Sequence, residues 1–541
     1  MNYVIKGNMS SQQLTTNMLI SHAENYHKNT EIISYNVRGE EKISNWSTFG
    51  KRSKKISYSL LQNGYKEGDI IGTICPNTIA HMELIYAISG FGGIAHTINP
   101  RLFPEEIVYI VNHAEDKAIF VDSSYLAILV SHKHLFTTVE NIYIVGPKHN
   151  EMAAKMNGFK FVEDLIYDDE KDFIWPDINE ESAAVLCYTS GTTGNPKGVL
   201  YSHKSIVLHA NMICLPDYLS LSSRDCILPI TPMFHVNAWG VTYASSMIGA
   251  KLVLPGSNVS AKNLIELINK HDVSISIAIP TIWEEVLEYL KVQDIKIPSL
   301  KRVYSGGSQV PQWMIQEFKD KHKIDCVQVW GMTETSPLGL VNYRSNNLKN
   351  KKNNLISKTG RPVWAMEFKI TDPKGESIKK DHTQVGNIWV KGPTVINKYY
   401  KERDLCVDNE GWFDTGDIGK IDKDGYISLT DRSKDLIKSG GEWISSIQLE
   451  QIIRRHPKVY DASVIGIKDK KWGERPLVVA EIEKNAKASE VEILDYFKDK
   501  IAKWQIPDKV IFIDELPLSS TGKPLKNKLR DKYFEQFIKE E

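Results

Sequence analysis

The sequence predicts an α/β protein: a large N-terminal domain of mostly parallel sheets covered by helices, then a small α+β domain. Three observations predict it. The chain has 541 residues, more than one ordinary core, so at least two domains are expected. Short apolar runs alternate with helical patterns, the arrangement of parallel strands linked by crossover helices. Past Arg432 the pattern becomes compact and mixed. In order, residues 69–75 read as a strand before a helix reaching about Ser89, and 117–122 as a strand before a helix from Tyr125. Residues 183–187 form a buried-looking strand, and 273–279 another, followed by a helix from Thr281 just after Pro280. Residues 345–358, polar and lysine-rich, read as an exposed, solvated loop. The small domain shows a helix from Ile447, strands at 462–467 and 476–482, a helix from Glu490 and a strand at 510–513. The domains are set at 1–431 and 432–541.

Composition narrows the class. Apolar residues make up 42% and charged residues 25%, as in soluble globular proteins. Lys plus Arg and Asp plus Glu both number 67, so net charge gives no case for nucleic acid or an anionic membrane surface. The six cysteines include no C-x-x-C pair, which disfavours a zinc site or disulfide framework and suits a reducing cytoplasm. The first ten residues are too polar for a signal peptide, and no apolar stretch is long enough to span a membrane.

One run carries most of the chemistry: Tyr188-Thr-Ser-Gly-Thr-Thr-Gly-Asn-Pro-Lys-Gly-Val199. It follows the strand at 183–187 and precedes a helix expected from about Ser202. Glycines let the backbone approach oxyanions, successive N–H groups and hydroxyls bind them, and Lys197 adds charge. Strand, loop and helix together read as a phosphate cradle. It is not a Walker A loop, because Pro196-Lys197-Gly198 stands where that loop needs Gly-Lys-Ser/Thr.

This run resembles the signature of the adenylate-forming enzymes: acyl-CoA synthetases, luciferases and peptide-synthetase adenylation domains. The resemblance continues, in order, at Pro232-Met-Phe-His-Val-Asn-Ala-Trp-Gly240, Trp330-Gly-Met-Thr-Glu334 and Gly411-Trp-Phe-Asp-Thr-Gly-Asp417. It ends with Asp431-Arg-Ser-Lys-Asp-Leu-Ile-Lys-Ser-Gly-Gly441 and Ser520-Thr-Gly-Lys523. The family activates a carboxylate with ATP as an acyl-adenylate, releasing pyrophosphate, and a thiol then attacks the carbonyl. Bringing two anions together needs cations and N–H donors around the α-phosphate.

The resemblance implies roles residue by residue. Thr189, Ser190, Gly191, Thr192, Thr193, Gly194 and Lys197 would hold the β- and γ-phosphates of ATP. Thr333 would meet a phosphate oxygen, and Glu334, with Thr189, would hold Mg²⁺. A Thr followed by an acid is otherwise common where a helix or turn begins. Asp417 would accept the ribose hydroxyls beside Arg432; alone, an Asp in a glycine turn is turn chemistry. Gly307, Ser308 and Gln309 would admit the adenine, lined by Gln328, Val329 and Trp330. The family more often has Tyr at the Trp330 position; the indole offers a stacking face without the hydroxyl.

His235 would shape and polarise the meeting point of carboxylate and α-phosphate, although a lone His among apolar residues is ordinarily a satisfied core histidine. Val236, Trp239 and Gly331 would border the acyl group, with Trp239 as a cap or gate, or as ordinary core packing. Lys523 would bridge the attacking carboxylate and the α-phosphate. The C-terminal domain would be a mobile lid, pivoting near Lys434. After adenylation it would replace the lysine loop with a CoA-facing surface of Lys438, Gly440, Gly441 and Trp443.

The expected activity is an acid–thiol ligase using ATP, Mg²⁺ and CoA. The segments Asn99-Pro-Arg-Leu-Phe103 and Lys438-Ser-Gly-Gly-Glu-Trp-Ile444 look like the medium- and long-chain fatty acyl-CoA synthetases and 3-methylmercaptopropionate-CoA ligase, an enzyme of dimethylsulfoniopropionate degradation. A short or medium aliphatic acid is expected, with 3-methylmercaptopropionate the specific candidate and a long-chain fatty acid the alternative. A carrier-loading adenylation enzyme and a luciferase-like oxygenase are competing classes. The chain ends eighteen residues after Lys523, without a fused carrier. A purely binding protein is disfavoured by Lys197, Glu334 and Lys523 together. A homodimer is left open.

Overall fold

A computed structural model describes residues 7–146, 158–167, 173–189, 195–343, 358–440, 442–484, 486–518 and 524–534. Among these, two large sheets form the N-terminal part. One runs edge to edge through Phe159–Phe161, Asn141–Val145, Ala118–Asp122, Ile70–Ile74, Ile94–Thr97, Ala183–Tyr188 and Gly198–Ser202, parallel throughout except for the last pair. The other is parallel through its centre, Asp325–Gly331, Arg302–Ser305, Ile275–Ala278, Cys226–Pro229, Lys251–Leu254 and Glu31–Tyr35. It turns antiparallel at both edges. Central strands such as Ile70–Ile74 and Ile275–Ala278 are buried at every position, which is why they are largely apolar rather than alternating. Pro280 opens the helix Pro280–Gln293, where its missing N–H costs nothing.

The cradle departs from the sequence expectation. After Tyr188 the chain enters a second strand, Gly198–Ser202, antiparallel to the first, and the helix His203–Cys214 starts only beyond it. Ser202 caps that helix by accepting the Ser205 N–H, so the helix begins where the sequence expected it; what the sequence did not show is the strand Gly198–Ser202 before it. Lys358 also departs from expectation. It is 6% exposed and stands 3.7 Å from Asp422 rather than in solvent. Residues 345–357 lie outside the described residues.

A four-stranded antiparallel sheet follows: Glu367–Thr371, Gly386–Lys391, Phe413–Ile421 and Ile427–Arg432. The next strand, Ile437–Ser439, belongs to a different sheet with Glu442–Ile444, Gly473–Ile482, Val459–Asp469 and Lys509–Ile513. That sheet packs its own core of Ile437, Leu449, Val464, Val478 and Phe497.

Candidate active site

A cleft of about 2230 Å³ opens between the N-terminal sheets and the C-terminal domain. Single small-molecule pockets are roughly 300–1,000 Å³, so this one has room for several reactants. The cradle's neck is at its rim. The Thr189 N–H donates to the Lys197 carbonyl at 2.9 Å, and the Lys197 N–H donates back to Thr189 Oγ1 at 3.3 Å. Ser190, Gly191, Thr192, Thr193 and Gly194 lie outside the described residues. Beneath the neck, Tyr188 and His113 share a 2.7 Å hydrogen bond between Oη and Nδ1.

Strand Asp325–Gly331 delivers Gln328, Val329, Trp330 and Gly331 to the cleft, and the single turn Thr333–Thr335 follows it. The Tyr201 hydroxyl donates to the Thr333 carbonyl at 2.6 Å, which fixes that turn. Glu334 is 8% exposed, and its Oε1 accepts from the Tyr399 hydroxyl at 2.8 Å. Burial pushes its carboxyl above the usual range. The Lys197 ammonium stands 4.8 Å from the centre of the Tyr399 ring. Tyr399 therefore touches both predicted charges, Lys197 on its face and Glu334 at its hydroxyl. Sequence reasoning missed it; its signal is the Tyr399-Tyr400 pair ending a polar turn. Among the described residues no three acidic, His or Cys side chains converge as a metal cage. One buried carboxylate fits Mg²⁺, which takes few protein ligands and fills the rest from phosphate and water.

Asp417 and Arg432 face each other on neighbouring strands, with Arg432 Nε 2.9 Å from Asp417 Oδ1. The other oxygen, Oδ2, accepts the Trp330 indole N–H at 2.8 Å. The ring is 8% exposed, packs edge-on against Phe368 and borders the cleft, so its nitrogen anchors Asp417 from within the ring plane. Gly307, Ser308 and Gln309 follow strand Arg302–Ser305 and line the cleft; Gly307, at φ +82°, takes the left-handed turn glycine favours. Gly331 allows close packing: a Cβ there would sit 2.1 Å from the Pro337 carbonyl.

On the acyl side, His235 is half-buried and borders the cleft rather than the core. The next five residues, Val236 to Gly240, all have positive φ, from 48° to 73°. They make a turn of left-handed helix, where non-glycine residues cost roughly 1–2 kcal/mol each. Asn237 fastens it, donating to the Met233 carbonyl at 3.1 Å and accepting from the Tyr243 hydroxyl at 3.2 Å. This strained turn brings Trp239 toward Gly306. A Cβ on Gly306 would lie 3.3 Å from the indole. The cleft also reaches Ile213, Leu219 and Tyr304, whose hydroxyl donates to the Leu219 carbonyl at 2.7 Å.

The C-terminal residues divide into two groups. Lys434, Leu518, Pro524 and Lys526 border the cleft. Lys523 lies outside the described residues; Leu518 and Pro524, on either side of 519–523, pair as an antiparallel bridge. Lys438, Gly440 and Trp443 do not border it. The Lys438 ammonium stands 5.2 Å from the Trp443 ring, and Gly440 donates to the Trp472 carbonyl at 2.7 Å. A Cβ on Gly440 would meet the Trp472 ring at 2.7 Å, so that glycine accommodates an indole of its own chain. Gly441 lies outside the described residues.

A cleft with room for several reactants, bordered by Thr189 and Lys197, a buried acid and an Asp–Arg pair, fits an adenylate-forming class, and comparison with known proteins agrees. Residues 20–400 match the family model for AMP-binding enzymes, and 448–523 match the AMP-binding enzyme C-terminal domain. A 3-methylmercaptopropionyl-CoA ligase from Ruegeria lacuscaerulensis is 43% identical over 97% of this chain and 98% of its own. A medium-chain-fatty-acid–CoA ligase from Ectopseudomonas oleovorans is 43% identical over 97% of each. The o-succinylbenzoate CoA synthetase of Bacillus subtilis, solved with its acyl-adenylate intermediate, superposes with a TM-score of 0.79 at 26% identity, covering 95% of this chain and 98% of that one. The same synthetase has been solved with ATP and a magnesium ion.

The chain belongs to the AMP-binding enzyme family and is an AMP-forming acyl-CoA ligase. Its chemistry runs through an acyl-adenylate, with ATP, Mg²⁺ and CoA as its cofactors and co-substrates. Among the described residues no helix is long and apolar enough to cross a membrane.

Proposed function

We propose that this ligase activates a short or medium aliphatic acid, with 3-methylmercaptopropionate the specific candidate. Two features support the reading: the indole of Trp239 set against Gly306 in the acyl wall, and the identity to relatives of that activity and of medium-chain activity. In our reading Thr189 and Lys197 hold the ATP phosphates, Asp417 and Arg432 the ribose, and Gly307, Ser308 and Gln309 the base. Glu334 holds Mg²⁺, whose charge offsets that of the phosphates. Thr333 and His235 border the point where carboxylate meets α-phosphate, and Lys523 stabilises the charge developing there.

The domain boundary falls after Asp431, and the lid pivots near Lys434. Two facts support this: strands Ile427–Arg432 and Ile437–Ser439 belong to different sheets, and the cleft is bordered by the residues flanking 519–523. In our reading this is the pose of the first half-reaction. Turning the lid would then bring Lys438, Gly440, Gly441 and Trp443 to the CoA thiol. The six free cysteines suit a reducing cytoplasm.

The convergence of cradle, buried carboxylate, Asp–Arg pair and apolar wall on one cleft carries the reading. CoA-dependent AMP release across straight-chain acids from C2 to C18, with 3-methylmercaptopropionate, tests it. A maximum among the short and medium acids is expected; an optimum at C14 or beyond would replace this substrate class with long-chain fatty acids.

A further inference from the structure

We infer that Asp431 is a positioning residue: it latches the lid in the pose for adenylate formation, acting through Ser446 and Lys526. The inference rests on the two-pose reading above. Asp431 is the penultimate residue of strand Ile427–Arg432, three residues before Lys434, and is 3% exposed. Its Oδ2 accepts the Ser446 N–H at 2.6 Å and the Ser446 hydroxyl at 2.7 Å. Those groups open the lid helix Ser446–Ile453, so a residue before the pivot caps a helix beyond it.

Lys526 completes the cluster from the far end of the lid. Its ammonium donates to Ser446 Oγ at 2.6 Å and pairs with Glu450 Oε1 at 2.9 Å. Glu450 also accepts the Val464 N–H at 2.8 Å and is 5% exposed. Ser446 Oγ thus receives from Lys526 and gives to Asp431. Arg530, one turn along the helix Lys526–Tyr533, pairs with Asp435 just past the pivot. Lys526 follows Lys523 by three residues, so the stem of the lysine loop is fastened through one hydroxyl to the N-terminal domain.

The geometry forces a choice. Asp431 lies on one side of the pivot; Ser446, Glu450 and Lys526 lie on the other. Rotation at Lys434 moves the three lid residues together and parts them from Asp431. That leaves the carboxylate and the first turn of the helix to water in the second pose. The latch therefore favours the first half-reaction and must open for the second.

Asp431→Asn and Lys526→Met are the test, with Lys526→Arg as the conservative control. ATP–pyrophosphate exchange is expected to fall roughly tenfold or more in the first two, the scale of one or two hydrogen bonds to a charge. Thioester formation from supplied acyl-adenylate should hold or quicken, and Lys526→Arg should restore exchange. Equal loss of both half-reactions, or no loss in either, overturns the latch. If Asp431→Asn does not fold, Ser446→Ala removes only the shared hydroxyl and is judged by the same split. Amide hydrogen exchange reads the latch without turnover: residues 446–453 and 524–533 should exchange faster in the variants, with the N-terminal sheets unchanged, and unaltered rates overturn it. A wild-type enzyme without exchange on any acid would instead refute the proposed function.

Discussion

The indole N–H of Trp330 and the carboxylate of Asp417 meet at 2.8 Å, on strands of two different sheets. With Arg432 on the other oxygen, Asp417 is held from both sides, and the sheet carrying the cradle's partners is tied to the sheet that leads into the lid. Trp330→Phe keeps most of the buried ring and removes the donor. AMP affinity should fall roughly 10-fold or more, as expected for a hydrogen bond to a charged group. Calorimetric titration with AMP checks this; an unchanged Kd would mean that Arg432 alone positions Asp417.

Glu334→Gln should separate stability from activity. Burial raises the folded-state pKa of Glu334 above its unfolded value. For an acid shifted this way, the stabilisation is fully present below the unfolded pKa and is lost as pH rises from there through the folded pKa. At pH 8 the variant should melt at the same temperature as wild type or higher, while the rate response to Mg²⁺ collapses. Melting curves and magnesium titrations at pH 6 and 8 measure both. A lower Tm with a normal magnesium response would assign Glu334 to structure alone.

Trp239→Ala should move the chain-length optimum to longer acids by opening the wall toward Ile213, Leu219 and Tyr304. Each methylene newly buried adds about 0.8 kcal/mol, or roughly fourfold in kcat/KM. A profile identical to wild type would return Trp239 to ordinary packing.

Two lid variants should fail at different steps. Lys523→Ala should lose roughly 10²–10³ in adenylate formation, the usual cost of one oriented group at a transition state, and keep thioester formation from supplied acyl-adenylate. Lys434→Pro should do the reverse, because proline fixes φ where a pivot must change it. Pyrophosphate exchange and thioester yield, measured separately, distinguish them; parallel losses in either variant would contradict the pivot.

The fold class and most of the cleft were legible because their signals are local: largely apolar strands, glycines, and polar residues in ordered runs. What was not legible depended on distant partners. Tyr399 gains its place from Lys197 and Glu334, some 200 and 65 residues away. The hydrogen bond from the Trp330 nitrogen to Asp417 joins residues 87 apart in the chain. The left-handed turn gave no warning, since its first four residues, Val236 to Trp239, are none of them glycine. Lys358 follows a lysine-rich stretch and yet is buried, because Asp422 waits for it across a strand. The strand Gly198–Ser202 was hidden by a genuine helix cap at its own end.

That last strand changes what holds the anion. Tyr188 pairs with Gly198 at the cradle, whereas Ser202 pairs with Ala183 at the opposite end of the hairpin. The amino end of helix His203–Cys214 is therefore about 14 Å from the cradle, at roughly 3.4 Å per residue. A helix macrodipole acts only within its first turn, so this one contributes nothing to phosphate binding. In our reading the loop's own N–H groups and hydroxyls, with the charge of Lys197, do what a helix end does in a P-loop. Lys197 stands at the cleft's mouth, where dissolved ions screen over about 8 Å at physiological ionic strength. ATP capture by this ligase should accordingly weaken with added salt more steeply than in enzymes that seat their triphosphate on a helix end.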